Sequence, residues 1–186
     1  LINLLSNQNN DNVKVSNWET VHKKKNTQAA PMQPSSKLNS HAHTTHAISE
    51  ILNRASKMRS KQQKIDWLRE KDSPSLQVIL RLMYDENIEF LVPDEAPPYK
   101  KNASPDEGMM LYHEARKLRI FVKGGGYDEL NQVKRESLFI GLLEDVCDQD
   151  SEMLCKMICR EKIKNLTKQT VEDAFPHLFT TPLKLR

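Results

Sequence analysis

The sequence predicts an all-α fold, a compact orthogonal multi-helix domain of about seven helices with a disordered N-terminal arm. Three observations predict it. After Ile48, apolar residues recur at steps of three and four, the spacing that lines one face of a helix. Helix-start signals, a Ser followed by Pro or by Glu or Gln three residues on, precede several of those stretches. One run alone, "IEFLVP" at 88–93, reads as a strand, and a lone strand cannot make a sheet.

The 186 residues suffice for one ordinary domain and a tail, not for two separate cores. The expected division is an arm over 1–44, a helical domain over 45–180 and a short tail over 181–186. The arm is rich in Asn, Gln, Ser, Lys and His, and buries too little apolar surface to offset the entropy of ordering a backbone. The chain begins at Leu1, which reads as a fragment edge or a processed end. The net charge of +3 is concentrated in the arm, where Lys14, Lys23, Lys24, Lys25 and Lys37 face Asp11 and Glu19. From Ile48 onward basic and acidic residues balance, so the arm offers the persistent positive field.

Taken in order, "THAISEILNRASKM" gives the first helix, with Thr45 as N-cap and Ile48, Ile51, Leu52, Ala55 and Met58 on its buried face. Ser60 and Gln63 have capping-box spacing ahead of Ile65, Trp67 and Leu68. Ser73 and Pro74 open a third helix with Leu76, Ile79, Leu80 and Met83 inward. After the 88–93 run, "DEAPPYKKNASPDEG" is an extended, proline-rich loop. Ser104, Pro105 and Glu107 then start a helix through Leu111, Ala115, Leu118 and Val122, stopped by the glycines at 124–126. Helical spacing resumes with Leu130, Val133, Ser137 and Ile140, and on a neighbouring stripe with Leu138, Leu142 and Val146. Two shorter helices follow, one from Ser151 to Arg160 with Asp150 as its N-cap, one from Lys168 to Phe175 stopped by Pro176.

Chemistry is sparse. Cys147, Cys155 and Cys159 crowd one segment, an odd number that cannot staple distant parts of the chain and that fits a reducing compartment. Cys155 and Cys159 lie one helical turn apart, but structural zinc wants four Cys or His ligands, and His113 and His177 stand alone. No metal and no cofactor is therefore expected. Asp145, Asp148 and Asp150 gather where a helix N-terminus favours negative charge and lack the glycine and closing Glu of a calcium loop. The triple glycine ends a helix, whereas a phosphate loop would open one. "HAHTTH" (His41, His43, His46) is either a linker or an adventitious metal tract. No nucleophile stands with a base at motif spacing, so no enzyme is expected. No apolar run approaches the roughly 20 residues that span a bilayer, so no membrane partner is expected.

Two candidate surfaces remain. Pro97, Pro98, Tyr99 and Lys100 either dock a partner or pin the loop to the core. Lys23, Lys24 and Lys25 in the arm, with Arg116, Arg119, Lys134 and Arg135 either side of the glycines, either grip phosphates or form solvated faces.

The segments "ISEIL", "SPSLQVIL", "FLVPDEAPPYK", "EARKLRIFVKGG", "KRESLFIGLLEDV" and "LTKQTVEDAFPHLF", in that order, resemble an uncharacterised family of small helical proteins from large contractile-tailed bacteriophages, especially marine myoviruses. The arm is outside that pattern, and the cysteine-bearing helix departs from its usual Ala and Leu. The resemblance implies a phage origin and the cytoplasm of a bacterial host, and carries over no catalytic residue. The leading expectation is a non-enzymatic accessory protein that binds a phage or host protein through 93–101. The alternative is a nucleic-acid-binding accessory of replication, recombination or transcription using the basic arm and ridge. A virion component is the third.

Overall fold

The computed structural model describes residues 46–102 and 110–180. These carry seven α-helices, one 3-10 helix and no strand, an all-α architecture.

Helix α1 (Ile48–Lys57) buries Ile48, Ile51, Leu52 and Ala55, the stripe its spacing predicts. Its N-cap is Ala47, which has no side chain to offer, and Thr45 lies outside the described residues. Helix α2 (Lys61–Glu70) starts with the expected capping box: the Ser60 hydroxyl accepts from the Gln63 N–H, and the Gln63 side chain accepts from the Ser60 N–H. Helix α3 (Pro74–Tyr84) begins with Ser73 capping Leu76 N–H and Pro74 in the first turn. It buries Leu76, Ile79, Leu80, Leu82, Met83 and Tyr84, more than one stripe holds, because the helical segments Met110–Glu114, Ala115–Phe121 and Asp148–Ile158 all pack against it.

The segment expected to be one helix ending at Val122 is two. Helix α4 (Met110–Glu114) gives way to a 3-10 helix over Ala115–Phe121, and Ser104, Pro105 and Glu107 lie outside the described residues. A 3-10 turn advances about 2.0 Å per residue against about 1.5 Å in an α-helix. The extra length delivers Val122 to Phe90, and the two form an isolated antiparallel bridge. Leu91 N–H donates to Phe121 C=O at 2.8 Å and Lys123 N–H to Glu89 C=O at 2.9 Å. The strand-like run 88–93 thus becomes a single rung. Gly125 is obligatory at this corner, since a Cβ there would stand 1.9 Å from the Arg119 carbonyl oxygen.

Helix α5 (Gln132–Asp145) is capped by Asn131, which accepts from Val133 and Lys134 N–H. Its inner face is Phe139, Ile140, Leu142 and Leu143 together with Arg135 and Glu136. Leu138, expected on an apolar stripe, is 41% exposed because the helix is rotated to set Phe139 edge-on to Phe121.

Helix α6 (Asp148–Ile158) starts three residues before the expected Ser151 and buries Met153, Leu154, Met157 and Ile158. Asp150 does not cap it. Its Oδ1 accepts from the Ser49 N–H at 2.8 Å, so it serves as the missing acceptor at the start of α1 from 101 residues away. Helix α7 (Lys168–Ala174), capped by Thr167, ends just before Pro176 and packs on α2. Among the described residues no helix is long and apolar enough to cross a membrane.

Candidate functional site

The sequence-predicted residues fall into three groups. Lys23, Lys24, Lys25, His41 and His43 lie outside the described residues. His46 sits edge-on to the Trp67 ring at the start of α1.

The basic ridge does not form as a unit. Arg116 and Lys134 are exposed, while Arg119 lies over the Tyr127 ring at 5.1 Å and donates to its hydroxyl at 3.0 Å. Arg135 is removed from any such surface: only 3% of it is exposed. Its guanidinium donates to the carbonyls of Ile120 (3.1 Å), Tyr127 (2.7 Å) and Asp128 (3.2 Å) and to the Gln132 side chain (3.0 Å). A buried fork with four of its five N–H donors engaged has little to offer a phosphate.

The loop candidates are tied to the body of the domain. Pro97 is buried, Tyr99 is half-buried against the core, and Pro98 and Lys100 are exposed. Lys100 N–H reaches the Glu144 carboxylate at 3.4 Å, and Lys101 pairs with Glu152 at 3.0 Å. Tyr99 therefore packs the loop against the core, one of the two roles open to it. Tyr99→Ala should cost about 1 to 2 kcal/mol in urea unfolding, against under about 0.5 for Pro98→Ala. Equal, negligible losses in both would mean that the ring adds nothing to the core.

The cysteines are free thiols along α6 and its flanks. Burial pushes the Cys155 thiol up to about 11, and burial also raises Cys147 and Cys159. A protonated, desolvated thiol is a poor nucleophile and a poor ligand. Among the described residues no three His, Cys, Asp or Glu side chains converge to hold a metal ion.

A different site emerges between elements far apart in sequence. The turn joining α1 to α2 (residues 58–60) and the loop leading into α7 bound a cleft of about 540 Å³. It is lined by Lys57, Arg59, Lys64 and Lys164 with Ser56, Met58 and Asn165, and by no carboxylate. The two banks are fastened together: Lys64 Nζ donates to the Asn165 carbonyl, and Asn165 is held in the left-handed region at φ 61°. Asn tolerates that conformation better than most residues, which fixes where Lys164 stands.

Many lysines elsewhere in the domain are already paired. Lys61, Lys71, Lys101, Lys117, Lys123 and Lys162 each pair with a carboxylate. Lys57, Arg59 and Lys164 have no such partner among the described residues, and Lys64 has only a carbonyl. Four positive charges therefore converge in a domain whose sequence charge is balanced overall, a local field that attracts anions.

A second cavity of about 300 Å³ adjoins this cleft and shares Ser56 and Lys164 with it. Its lining is mixed, with Leu52, Met83 and Met153 beneath Glu152, Glu161, Lys156 and Lys162, so it has no comparable charge preference.

The cleft was not legible in the sequence. Its cations come from 57–64 and from 164, and no local run holds them all. Half of it is marked by the turn "KMRSKQQK", a cationic stretch with no acid inside it, but nothing in that stretch points to Lys164.

No curated protein and no solved structure matches the chain. A family model does, over residues 51–167, a span that runs from within α1 to the threshold of α7 and takes in both banks of the basic cleft. On that match the chain belongs to a family of unknown function, DUF6433.

Proposed function

We propose that this chain is a non-enzymatic, nucleic-acid-binding accessory protein that grips phosphates in the cleft of Lys57, Arg59, Lys64 and Lys164. The observation that carries the reading is the convergence of four cations without a carboxylate in one concave site. Cations that already neutralise a protein carboxylate gain little from a phosphate, whereas unpaired ones release the counterions condensed on a nucleic acid when they meet it. The arm, with Lys23, Lys24 and Lys25, extends the same electrostatic attraction beyond the domain. The phage-like segments quoted above support an origin in a tailed bacteriophage and action in the cytoplasm of its host, in replication, recombination or transcription.

Fluorescence anisotropy of the full chain on a mixed-sequence DNA tests this. The slope of log K against log salt should be near −4, at roughly −0.9 for each phosphate neutralised. A Lys57→Ala, Arg59→Ala, Lys164→Ala variant should lose about tenfold or more in affinity and flatten the slope by about 3. A Lys23→Ala, Lys24→Ala, Lys25→Ala variant should lose less. Unchanged binding by the first variant, with large loss by the second, would move the contact to the arm.

A second reading, contact with a phage or host protein, is supported by Pro98 and Lys100, exposed on a loop that Pro97 and Lys101 hold in one place. A pre-ordered loop gives up little entropy on binding.

A further inference from the structure

Resting on the nucleic-acid reading of the basic cleft, we infer that the form it takes is double-stranded, held by its phosphodiester backbone without regard to sequence. Proteins that hold single strands combine a basic groove with aromatic rings on which unpaired bases stack, each ring contributing about 1 to 3 kcal/mol per base. This cleft contains no aromatic side chain. The nearest ring on α2, Trp67, is committed elsewhere: its indole N–H donates to the Ile51 carbonyl at 3.0 Å, and Lys71 covers its face at 4.9 Å. An unpaired base lying here would lose its neighbours and gain nothing to stack on.

The rigidity of the site points the same way. One bank is the short turn between α1 and α2, fixed by the Ser60 and Gln63 capping box. The other is fixed by the left-handed Asn165, and Lys64 bridges the two. Banks whose backbone is held in place suit a duplex, whose phosphates are already spaced by the double helix. A flexible single strand would have to be ordered to fit, at a cost in entropy that no stacking offsets.

Sequence indifference follows from the donors. Lysines meet phosphate as point charges, and base identity is read by bidentate side chains laid along the base edges of a groove. Among the lining residues Arg59 and Asn165 alone have a bidentate head, against three lysines that meet phosphate as point charges. The contact census available to the cleft is therefore one of backbone positioning.

The test compares the full chain on short blunt duplexes of two unrelated sequences with the separated strands of each, by anisotropy at one salt concentration and then across a salt series. Both duplexes should bind alike, about tenfold or more tighter than any single strand. The Lys57→Ala, Arg59→Ala, Lys164→Ala variant should lose that preference, while circular dichroism shows an unchanged helical signal and melting temperature. Arg116→Ala with Lys134→Ala, exposed cations outside the cleft, should retain it. Single strands bound as tightly as duplexes would overturn the duplex assignment and leave the nucleic-acid reading standing. Strong preference for one of the two duplex sequences would overturn backbone-only contact. Duplex binding untouched by the cleft substitutions would overturn the cleft as the site, and absence of binding to every probe would remove the nucleic-acid reading as well.

Discussion

Arg135→Ala is expected to destabilise the domain by about 3 to 5 kcal/mol in urea unfolding, since each hydrogen bond to a charged group contributes about 1.5 to 3 kcal/mol and this side chain makes four. The arginine is 3% exposed and holds three carbonyls and one side-chain amide with a single planar fork. Removing it takes the charged donor from the Ile120, Tyr127 and Asp128 carbonyls, of which Tyr127's keeps a backbone donor, the Leu130 N–H at 3.0 Å. Those carbonyls belong to the last turn of the 3-10 helix and to the loop before α5, so the variant should also loosen the corner at Gly125. Arg135→Lys should recover less than half the loss, because one ammonium cannot reach four acceptors arranged for a guanidinium. A variant that melts within about 1 kcal/mol of the wild type would mean that the corner is held by the Phe90–Val122 rung and by the Phe121–Phe139 ring contact instead.

Arg135 also illustrates how far the sequence could be read. The helices whose starts depend on neighbours three residues away were legible: the Ser60–Gln63 box and the Ser73–Pro74 start stand where the pattern places them. Local rules suffice there because both partners of each contact lie within one turn. The 3-10 helix was not legible, since Leu111, Ala115 and Leu118 fit either helix type. What selects the tighter form is the demand that Val122 reach Phe90, a contact between residues 32 apart. Arg135 itself reads as a surface cation in a charged run, because its acceptors are backbone carbonyls, and carbonyls leave no mark on the sequence.

The candidate site follows the same division. The loop 97–100 was visible as a proline cluster beside an aromatic residue, and its attachment to the core through Pro97 and Tyr99 was one of the two roles open to it. The cleft is assembled from Lys57, Arg59 and Lys64 on one side and Lys164 on the other, roughly 100 residues apart in the chain. Charge counting could not place Lys164 beside the 57–64 stretch, because the count over the whole domain is balanced and says nothing of which acids pair with which lysines. Asp173 takes Lys61, Glu86 takes Lys162 and Glu89 takes Lys123, which strips the carboxylates away from the cleft. The sequence balance of the domain conceals a local imbalance that only folding creates.

Asp150 should respond oppositely to two small substitutions. Asp150→Ala is expected to cost about 2 kcal/mol, whereas Asp150→Asn should be neutral or stabilising at neutral pH. The residue is fully buried, its Oδ1 accepts from the Ser49 N–H, and its Oδ2 has no hydrogen-bond partner among the described residues. Alanine leaves the Ser49 N–H, one of the orphan donors at the start of α1, without an acceptor in a dry site. Asparagine keeps an acceptor there and discards the charge. Two effects compete over that charge: the dipole of α1 favours it by about 0.3 to 1 kcal/mol, up to about 2 when partly buried, and desolvation opposes it by several kcal/mol. Desolvation wins, since burial raises the Asp150 carboxyl above its ordinary value of 3.8, with Ser49 pulling only partly back. A folded-state pKa raised above the unfolded one means that the native protein binds the extra proton. The cost of the buried carboxylate is therefore present above the folded pKa and fades as pH falls through it toward 3.8. The Asp150→Asn variant should hold its greatest advantage over the wild type at neutral pH and converge with it as the solution is acidified through that window. Urea unfolding of wild type, Asn and Ala variants across that window measures all three curves. An Asn variant about 2 kcal/mol weaker than wild type at neutral pH would show that the ionised carboxylate, not an acceptor alone, is what the first turn of α1 requires.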